Sequence, residues 1–581
     1  MKKLFRSLFI ISLSVVGLSG CSLEEFFGGG KVADHIDVRD YSTEVYQNEK
    51  YTFDGKVYAV YEDNTEADVT KKSTFSTLDT STLGKKELNV KYEDSQYIHR
   101  SKIEIEVKKY VKLTNIILPS EITVGQSRTK KITPEFVPND ASDREVTFST
   151  GNSSVATVTN EGVITPISLG TTTLTVKSVK FPSITASATL KVEEIALDEW
   201  TVLVYMCGAN LESDNGLATA DLGEMLSVSG QPEDVNIVVQ TGGSESWKKY
   251  GISNSYNQRY EIRNRSLNCV NNKVYNSYKG MGEQTTLQDF LEWGLDKYPA
   301  NRTGLIFWNH GGGLEGCCFD DLKSGNGLTD NEVINALDGA FTTLGLTEKL
   351  EFVGYDACLM QMMEVAEFNS KYFKYQVGSQ ELENGTGWDY DSWVDDLYAG
   401  TSTPTVLKAI CDGFIECNGG KDAIGGYYED DWGRQQYYPA DQTLSYLDLS
   451  KIDAFKTKWE ALATQVSSKI NNSNKSSFKN NVVGASRNFQ DNESANFDCY
   501  HFLENLTGGT FDPGSTYISE AKSAILNLVG YNLVQLEGSA DAHGVSFYFG
   551  KNYNSSTYSN FPNWVSLVSK VGGFGGSSWG Y

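Results

Sequence analysis

Two residues that could act together in catalysis lie 48 positions apart in this chain of 581 residues. His310 follows the apolar run 305–308 and Asn309, and Cys358 follows the largely apolar run 352–357. An imidazole beside a thiol can remove its proton and later protonate a leaving group. The two residues therefore predict nucleophilic catalysis by Cys358, with His310 as the acid–base group.

Both runs have the pattern of buried parallel strands, because they are short and apolar and end at a turn signal. Parallel strands bring their carboxyl ends to one edge of a sheet, where open α/β sheets bind ligands, so we expect His310 and Cys358 to lie close together. The N–H groups of Gly311 and Cys358 are the predicted oxyanion donors. A helix is predicted from Leu359 to about Asn369, and its positive end would favour the thiolate.

Other histidines and cysteines offer alternatives to this pair. The chain has five histidines, and His501 and His543 are rival bases, each with an aspartate nearby in sequence. His310 is preferred for its position at a strand end and for the glycines that follow it. Three further cysteines are interpreted as partly buried structural thiols: Cys207, Cys317 and Cys318.

From Trp200 onward, apolar runs alternate with segments of helical periodicity. This alternation predicts an α/β domain with a mainly parallel sheet and crossover helices. The predicted strands are 201–206, 235–239, 305–308, 352–356 and 544–549, and the predicted helices are 215–226, 286–297, 331–344, 359–369, 405–417 and 452–470.

The preceding part of the chain has a different pattern. Residues 37–108 and 109–194 contain short alternating runs at regular spacing, which predicts two small all-β sandwiches. The stretch 146–165, VTFSTGNSSVATVTNEGVIT, resembles a bacterial Ig-like (Big) domain, and residues 37–108 resemble a related Ig-like module. The resemblance implies either spacers or ligand-binding modules.

The amino-terminal residues have the features of a targeting segment. Lys2, Lys3 and Arg6 precede an apolar stretch, 9–18, that is too short to span a membrane as a mature helix. Residues 18–21, LSGC, resemble a bacterial lipobox, which implies cleavage after residue 20 and a lipid on Cys21; the alternative is an ordinary signal peptide. We therefore predict an exported protein that is lipid-anchored on the bacterial cell envelope, with residues 21–36 as a tether.

The composition restricts the partners. The net charge is −25 and the pI is near 4.7, whereas binding to nucleic acid needs a basic surface. Hydrophobic residues make up 39% of the chain and charged residues 22%, so most of it should fold. Nucleic acid is therefore excluded as a partner.

Four segments within residues 195–581 resemble the clostripain family of cysteine peptidases, which has a caspase-like fold. These segments are 200–212, 308–311, 356–364 and 544–549. The resemblance implies that His310 and Cys358 form a catalytic dyad. The chain departs from the family at residues 206–210, MCGAN, where members commonly have Asn-Ala-Asp-Asn.

The resemblance also implies a specificity. Family members cleave after Arg or Lys through an acidic S1 pocket; Asp356 matches the pocket acid, and Glu381 is a second candidate. The alternative for Asp356 is a cap on the following helix. Members are often activated by cleavage between the histidine and the cysteine, which predicts self-cleavage after Lys323; the alternative is a plain surface loop.

We therefore predict a surface-anchored cysteine endopeptidase that cleaves proteins or peptides after basic residues. The alternative is an adhesin or binding lipoprotein with an inactive peptidase-like domain, and a Cys–His transferase or amidase is a third possibility. The sequence requires no cofactor. Calcium is possible, through Glu212 and Asp214, although the spacing of an EF-hand is missing from the sequence. A monomer is expected.

Overall fold

The computed structural model describes residues 32–126, 129–418, 427–429, 435–437, 442–489, 495–535, 541–551 and 560–575. The predicted signal peptide, the lipidation residue Cys21 and most of the predicted tether lie outside these residues. The described residues form two compact units. One contains residues up to 118 with 134–147 and 176–186, and the other contains 119–133, 148–175 and the residues from 187 onward. None of the helices that the structure describes is long and apolar enough to cross a membrane.

The first unit consists largely of short strands whose apolar residues alternate with polar ones. Its strands before residue 109 are β1 (His35–Arg39), β2 (Glu44–Tyr46), β3 (Lys56–Val60), β4 (Glu66–Asp68), β5 (Thr74–Phe75), β6 (Gly84–Glu93) and β7 (Ile98–Lys108). They form the sheets β1–β3–β4 and β2–β7–β6–β5. Alternate residues of β6 and β7, such as Val90 and Ile105, are fully buried in a core that also contains residues of the other sheet. The period of two in the sequence predicts this alternation.

The next segment is also all-β, and its residues are divided between the two units. Its strands are β8 (Asn115–Ile117), β9 (Glu121–Gly125), β10 (Lys130–Lys131), β11 (Glu135–Val137), β12 (Val146–Thr150), β13 (Ala156–Val158), β14 (Val163–Pro166), β15 (Gly170–Ser178) and β16 (Thr185–Glu193). Strand β9 runs parallel to β16, and β14 pairs antiparallel with β10 and β13.

The rest of the second unit alternates strands and helices. Its strands are β17 (Asp198–Cys207), β18 (Val235–Gly242), β19 (Gln258–Arg263), β20 (Ser266–Asn271), β21 (Ala300–Trp308), β22 (Cys317–Asp320), β23 (Asn326–Leu328), β24 (Leu350–Asp356), β25 (Phe373–Gly378), β26 (Tyr427–Glu429), β27 (Gln435–Tyr437), β28 (Gln442–Asp448), β29 (Asn496–Asp498), β30 (Val529–Gln535) and β31 (Ser546–Tyr548). Nine of them form one sheet in the order β20–β19–β18–β17–β21–β24–β25–β28–β30.

This sheet is mixed, so the prediction of a mainly parallel sheet is corrected. The five central strands, β18 to β25, are parallel, whereas the four outer pairings are antiparallel. At one edge the reason is local. Asn264 and Arg265, both with positive φ, form a two-residue turn between β19 and β20, and such a turn joins antiparallel strands. The predicted strand 544–549 is β31, which pairs with β29 outside this sheet.

Helices cover both faces of the nine-stranded sheet. They are α1 (Ala209–Asn215), α2 (Leu217–Ser227), α3 (Gln284–Lys297), α4 (Asp330–Leu344), α5 (Met363–Asn369), α6 (Val394–Tyr398), α7 (Thr403–Asn418), α8 (Ile452–Ser468), α9 (Lys475–Phe478), α10 (Cys499–Leu506), α11 (Ser515–Leu528) and α12 (Pro562–Val571). The predicted helix 215–226 corresponds to α2, which begins at Leu217 because Gly216, with φ +72°, ends the preceding α1.

The core has two parts because strand residues alternate between the faces of the sheet. In β17, Val202 and Val204 pack on the face covered by α2 and α7, whereas Leu203 and Tyr205 pack on the opposite face, against residues of α3, α4 and α5 among others. Strand β21 alternates in the same way. The site-bearing strands are therefore held from both sides, which fixes the positions of the residues that follow them.

Candidate active site

Four neighbouring parallel strands end at one edge of the sheet, and each is followed by a segment of the candidate site. These strands are β17, β21, β24 and β25, in that order. Asn210 follows β17, His310 follows β21, Cys358 follows β24, and the loop 379–387 follows β25. This edge is where an open α/β sheet binds its ligands.

His310 and Cys358 have equivalent positions beyond the ends of two adjacent strands, β21 and β24. Strand pairing places Trp308 opposite Asp356, and His310 and Cys358 each lie two residues further on. The two residues therefore follow adjacent strand ends at the same distance from the last paired residues, His310 in a loop and Cys358 in a turn. The Asn309 N–H also donates to the Asp356 carbonyl oxygen at 3.3 Å. The two segments therefore stay together beyond the last paired residues.

Gly311 packs against the backbone of the nucleophile. A methyl group placed on its α-carbon would lie 2.3 Å from the Cys358 carbonyl oxygen, so only glycine allows this approach. Gly311 also forms an isolated antiparallel bridge with Cys317. The bonds of that bridge are donated by the N–H groups of Gly312 and Cys318, to the carbonyls of Gly316 and His310. The bridge therefore does not use the Gly311 N–H, one of the two predicted oxyanion donors.

Two asparagine side chains hold the histidine segment. The Asn309 amide is buried; its Nδ2 donates to the Cys207 carbonyl at 2.7 Å, and its Oδ1 accepts the Phe319 N–H at 2.8 Å. Asn210 contacts the imidazole itself, because His310 Nε2 lies 2.7 Å from Asn210 Oδ1. Because an amide oxygen only accepts, this contact is a hydrogen bond when Nε2 carries the ring proton.

The thiol of Cys358 lies beside the loop that follows β25. The Glu383 N–H donates to Cys358 Sγ at 3.2 Å, and the thiol donates to the Glu383 carbonyl oxygen at 3.8 Å. Cys358 also lies against a small apolar cluster whose other members come from several separate parts of the chain: Leu359, Leu382, Phe489, Val534 and Ala542. Cys358 is therefore in a largely apolar environment, with polar contacts to both the N–H and the carbonyl of Glu383.

This environment keeps both reacting groups uncharged. Burial lowers the pKa of His310 to about 4. Burial, reinforced by the Glu383 carboxylate, raises the pKa of the Cys358 thiol to about 12. Each shift disfavours the charged form, so near neutral pH the proton stays on sulfur in the resting protein.

The helix after Cys358 begins later than predicted. Helix α5 starts at Met363, five residues beyond the nucleophile, because Leu359 has φ +64° and donates its N–H to the Glu381 carbonyl. A left-handed residue cannot belong to an α-helix. Cys358 is therefore not at a helix N-terminus, and the predicted stabilisation of a thiolate by the helix dipole is wrong.

Asp356 lies at the floor of the site and is only 5% exposed. Its carboxylate accepts the Trp388 N–H at 3.3 Å and the Tyr390 hydroxyl at 2.9 Å. These donors belong to the loop after β25 and the turn that follows it, so the alternative prediction that Asp356 caps the next helix is wrong. Burial raises the pKa of Asp356 to about 7.

Further carboxyl groups surround Asp356. Asp221, from α2, is 1% exposed and accepts the Trp308 indole N–H at 2.6 Å. The position of a β-carbon on Gly387 would be 3.0 Å from Asp356 Oδ1 and 3.3 Å from Asp221 Oδ2, so both carboxyl groups face the space that this glycine leaves open. Burial and the Asp356 charge raise the pKa of Asp221 well above its usual value.

Glu383 completes this acidic group next to the thiol. Its two carboxylate oxygens are buried, and they interact with the Trp388 side chain, the Asp356 carboxyl and the Ala357 N–H. Burial, followed by the charge of Asp356, raises the Glu383 pKa well above its usual value. A cation entering this region would favour the ionised form of these buried carboxyl groups.

Comparison with known proteins identifies the family. Residues 204–564, more than half of the chain, match the clostripain family. The chain belongs to the clostripain family. This match confirms the resemblance that the His-Gly and Asp-Ala-Cys segments predicted. Residues 113–186 match the bacterial Ig-like domain, group 2, which confirms that prediction for the second all-β segment; an Ig-like module at residues 37–108 stays a prediction.

Individual relatives are more distant. Clostripain of Hathewaya histolytica is 24% identical over 305 residues, which cover 46% of this chain and 56% of that protein, so the chain spans about half the length of this relative. A secreted C11 cysteine protease of Bacteroides thetaiotaomicron, solved with an irreversible peptide inhibitor, is 18% identical with a TM-score of 0.45, over 64% of this chain and 99% of the other. An inactive zymogen C11 protease of Parabacteroides distasonis is 18% identical with a TM-score of 0.44, over 65% and 99%.

Glu381, the second acid that the family resemblance suggested, has a cationic partner within the protein. Its Oε2 lies 3.1 Å from an Arg487 guanidinium nitrogen, and its Oε1 accepts the Leu382 N–H at 3.0 Å. Its backbone carbonyl accepts the Leu359 N–H. The structure thus places Glu381 beside the nucleophile segment but in an internal ion pair, whereas Glu383 is nearer to the thiol.

The loop with the predicted processing site is a short hairpin. Lys323 is exposed and ends a single 3-10 turn, Asp321–Lys323, between β22 and β23. Asp320 is fully buried below it and accepts the N–H groups of Met281 and Leu322 at 2.7 and 2.9 Å. The chain at Lys323 is therefore accessible but tightly folded.

The rival histidines have other contacts. His543 bonds to the buried Asp498 through Nδ1 at 3.0 Å, and His501 Nδ1 accepts the Arg487 N–H at 3.0 Å. Both therefore support loop structure. The alternative thiols Cys207, Cys317 and Cys318 are buried.

Glu212, which the sequence suggests as a possible calcium ligand, has backbone partners within the fold. Its carboxylate accepts the N–H groups of Thr219 and Lys248, at 2.9 and 2.6 Å, and so joins α1 to its neighbours. The described part of the chain contains no group of three or more His, Cys, Asp or Glu side chains arranged to hold a metal ion.

Sequence reasoning missed Asp221, Glu383 and Asn210. Asp221 lies three residues after the buried Ala218 and next to the buried Leu222, so a carboxylate within the apolar stripe of α2 was a usable signal. Glu383 follows Glu381 by two residues in one loop, and the sequence alone cannot tell which acid faces the thiol. Asn210 lies in the segment that departs from the usual family pattern.

Proposed function

We propose that this protein is a cysteine endopeptidase that cleaves peptide bonds after Arg or Lys. The observation that carries the proposal is the equal offset of His310 and Cys358 beyond the paired residues Trp308 and Asp356. The offset puts His310 and Cys358 in neighbouring segments at one sheet edge, near a group of buried carboxyl groups, and this supports the proposal. Membership of the clostripain family supports this class of reaction.

The reaction begins with an uncharged pair. His310 accepts the thiol proton as the sulfur of Cys358 attacks the carbonyl carbon of the scissile bond, which gives a tetrahedral oxyanion. The N–H groups of Gly311 and Cys358 stabilise this oxyanion, and loss of one such donor costs about 3 kcal/mol. The proton on His310 then passes to the departing amine, and a water molecule releases the acyl group and restores the thiol.

The acidic group next to the thiol gives the preference for a basic side chain. Asp356 and Glu383 are buried, and an Arg or Lys side chain of the substrate would supply the missing positive charge. Asp221 extends the same negative surface. Glu381 has a lesser role in this proposal, because Arg487 already neutralises it.

Binding of the basic side chain also helps to activate the nucleophile. The Glu383 carboxylate contributes to the raised pKa of Cys358, so a cation placed beside Glu383 lowers that pKa. A neutral side chain at the same position lacks this effect. The preference for Arg or Lys therefore acts on the chemical step as well as on binding.

Fluorogenic peptides with Arg, Lys, Gln or Leu before the reporter group test the reaction and its specificity. We expect turnover of the Arg and Lys peptides only, and loss of turnover in Cys358→Ala and His310→Ala. Cys269→Ala is the matched control, because Cys269 is exposed on β20. If the reduced protein cleaves none of these peptides, with or without calcium, the inactive binding lipoprotein is the better interpretation.

The pocket residues are tested by charge removal. Glu383→Gln and Asp356→Asn should each lower kcat/KM for Arg peptides by about 100- to 5000-fold, since loss of one partner of a buried ion pair costs about 3–5 kcal/mol. Glu381→Gln should have a much smaller effect on the preference for Arg over Gln. Equal losses for Arg and Gln peptides in Glu383→Gln would remove Glu383 from the pocket.

We further propose that a lipid on Cys21 holds the enzyme on the cell envelope, with the Ig-like segments between the lipid and the peptidase domain. The lipobox-like residues 18–21 support this proposal. Cys21→Ser should move the protein from the membrane fraction to the soluble fraction of the producing cell. An unchanged membrane fraction in Cys21→Ser would exclude this anchor.

A further inference from the structure

The turn between β17 and α1 directs an amide group toward His310. Ala209, at this turn, has φ +43°, a left-handed conformation that is uncommon for a residue with a β-carbon. The turn is fixed on both sides of this residue. The Gly208 N–H donates to the Gly242 carbonyl at 2.8 Å, and the hydroxyl of the buried Ser244 donates to the Ala209 carbonyl at 2.9 Å.

The helix that carries the amide is anchored as well. Glu212, one turn beyond the junction, is fully buried and holds two backbone N–H groups. The Asn210 backbone N–H donates to the Asp321 carboxylate. An otherwise exposed asparagine side chain therefore has a backbone that cannot easily move, and its Oδ1 lies 2.7 Å from His310 Nε2.

We propose that Asn210 is a positioning residue that holds His310 as the Nε2–H tautomer, so that Nδ1 is the nitrogen that exchanges a proton with the Cys358 sulfur. A neutral imidazole has one N–H and one lone pair, and the partner of the N–H decides which nitrogen is the base. Asn210 does not touch the reacting atoms, and it acts only through the orientation and tautomer of the imidazole.

An amide suits this role better than a carboxylate would. A carboxylate within hydrogen-bond distance stabilises imidazolium and typically raises the histidine pKa by about 1–3 units. The Asn210 amide fixes the ring without adding charge, and burial keeps the His310 pKa low. The charged groups near this junction are Asp321, with Asp214 and Glu245 beside it, and they lie on the Asn210 backbone side.

The tautomer can be measured without turnover. Long-range ¹H–¹⁵N correlations of the histidine rings in Cys358→Ala protein near neutral pH should show the proton of His310 on Nε2, with the signal assigned by its loss in Cys358→Ala/His310→Ala. Adding Asn210→Ala should shift the population toward the Nδ1–H form. A proton on Nδ1 while Asn210 is present would overturn the proposal.

Kinetics test the consequence, and this part rests on the proposed peptidase function. Asn210→Ala should lower kcat by on the order of 100-fold, the range of general acid–base contributions, with little change in KM for Arg peptides. Asn210→Asp should retain more activity and move the acid limb of kcat upward by about 1–3 pH units. Asn215→Ala, on the exposed end of the same helix, is the matched control and should behave as the unmodified enzyme.

The outcomes separate the two proposals. If the unmodified protein cleaves no basic peptide, the proposed function fails, while the nuclear magnetic resonance measurement still decides the tautomer. If the unmodified enzyme is active and Asn210→Ala leaves kcat and the ring signals unchanged, the positioning role is wrong. A fall in kcat with an unchanged tautomer also contradicts it, because the effect would then be structural.

Discussion

Gly311 and Cys358 are in contact through their backbones, and the contact has no room for a side chain. A methyl group on Gly311 would lie 2.3 Å from the Cys358 carbonyl oxygen and 3.0 Å from the β-carbon of Ala357. Because neither neighbour is the end of a flexible side chain, an added methyl group must displace the nucleophile segment. This contact sets the distance between the backbone segment that carries His310 and the segment that carries Cys358.

Gly311→Ala should therefore lower kcat/KM by about 100-fold or more, since a displacement of about 1 Å in a reacting group can cost this much. Gly312→Ala is a matched control, because a methyl group there first meets the β-carbon of Glu315 at 3.1 Å, and we expect a change of only a few-fold. Circular dichroism would verify that both proteins fold. Equal activity of the two variants would show that the contact is not needed for catalysis.

The pH dependence should distinguish binding of the basic side chain from the chemical step. The Asp356 pKa is raised to about 7, so below pH 7 the empty pocket is increasingly protonated and binds cations poorly. We expect kcat/KM for Arg peptides to fall as the pH drops below about 7. In the pH profile of kcat, the fall on the acidic side should lie at lower pH. The reason is that the bound basic side chain of the substrate favours the ionised form of Asp356.

The control for this prediction is alkylation of Cys358 by a small neutral reagent. The reagent does not bind the acidic pocket, so protonation of Asp356 near pH 7 should not lower the alkylation rate. A limb near pH 7 that is the same in kcat and kcat/KM would contradict the assignment. The His310 pKa of about 4 predicts that a second, lower limb belongs to protonation of the base.

The folded protein should also lose stability with rising pH because of one buried acid. Glu364 in α5 is fully buried, accepts the Tyr548 N–H at 3.1 Å, and has its pKa raised by burial to about 8. In the unfolded chain a glutamate releases its proton near pH 4.3. Unfolding therefore releases a proton between these values, and the stabilisation present at low pH is lost as the pH rises to about 8.

Glu364→Gln should remove this dependence. The difference in free energy of unfolding between variant and unmodified protein should grow in favour of the variant by a few kcal/mol between about pH 4.5 and 8. Denaturant titrations at pH 5 and pH 8 would measure it. A constant difference at the two pH values would mean that Glu364 is not protonated in the folded state.

The sequence predicted the elements that place the dyad, but not its surroundings. The apolar runs before His310 and Cys358 correspond to β21 and β24, because a continuous apolar run has few other uses in a soluble domain. The start of the helix at Met363 was missed because the left-handed conformation of Leu359 depends on a tertiary hydrogen bond to Glu381. Propensity carries no information about such a partner.

The same limit explains the outer strands and the pocket. Antiparallel edges such as β28 and β30 arise from the route of the chain, which periodicity does not encode. Which of Glu381 and Glu383 is neutralised depends on Arg487, more than 100 positions away in the chain. Residue types and spacing thus predict His310 and Cys358 as the reacting pair, whereas tertiary contacts decide which acidic side chain has a cationic partner within the protein.

Self-cleavage after Lys323 is the last prediction, and it depends on local opening of the hairpin. A peptidase cleft binds an extended chain, but Lys323 is the last residue of a 3-10 turn and precedes Ser324 with φ +57°. The buried Asp320 holds this turn through Leu322 and Met281. In Asp320→Asn, an amide NH₂ group replaces one of the two carboxylate oxygens that accept the N–H groups of Met281 and Leu322. Loss of that acceptor should loosen the hairpin and accelerate processing several-fold.

Denaturing gels with mass determination of the fragments would follow the reaction over time. Two fragments should form with the unmodified chain and with Lys323→Arg, which keeps a basic side chain, whereas Lys323→Gln and Cys358→Ala should remain intact. Active enzyme with a fully intact chain would exclude processing as a requirement. Fragments that end at residue 323 in Cys358→Ala alone in solution would show that another peptidase makes the cut.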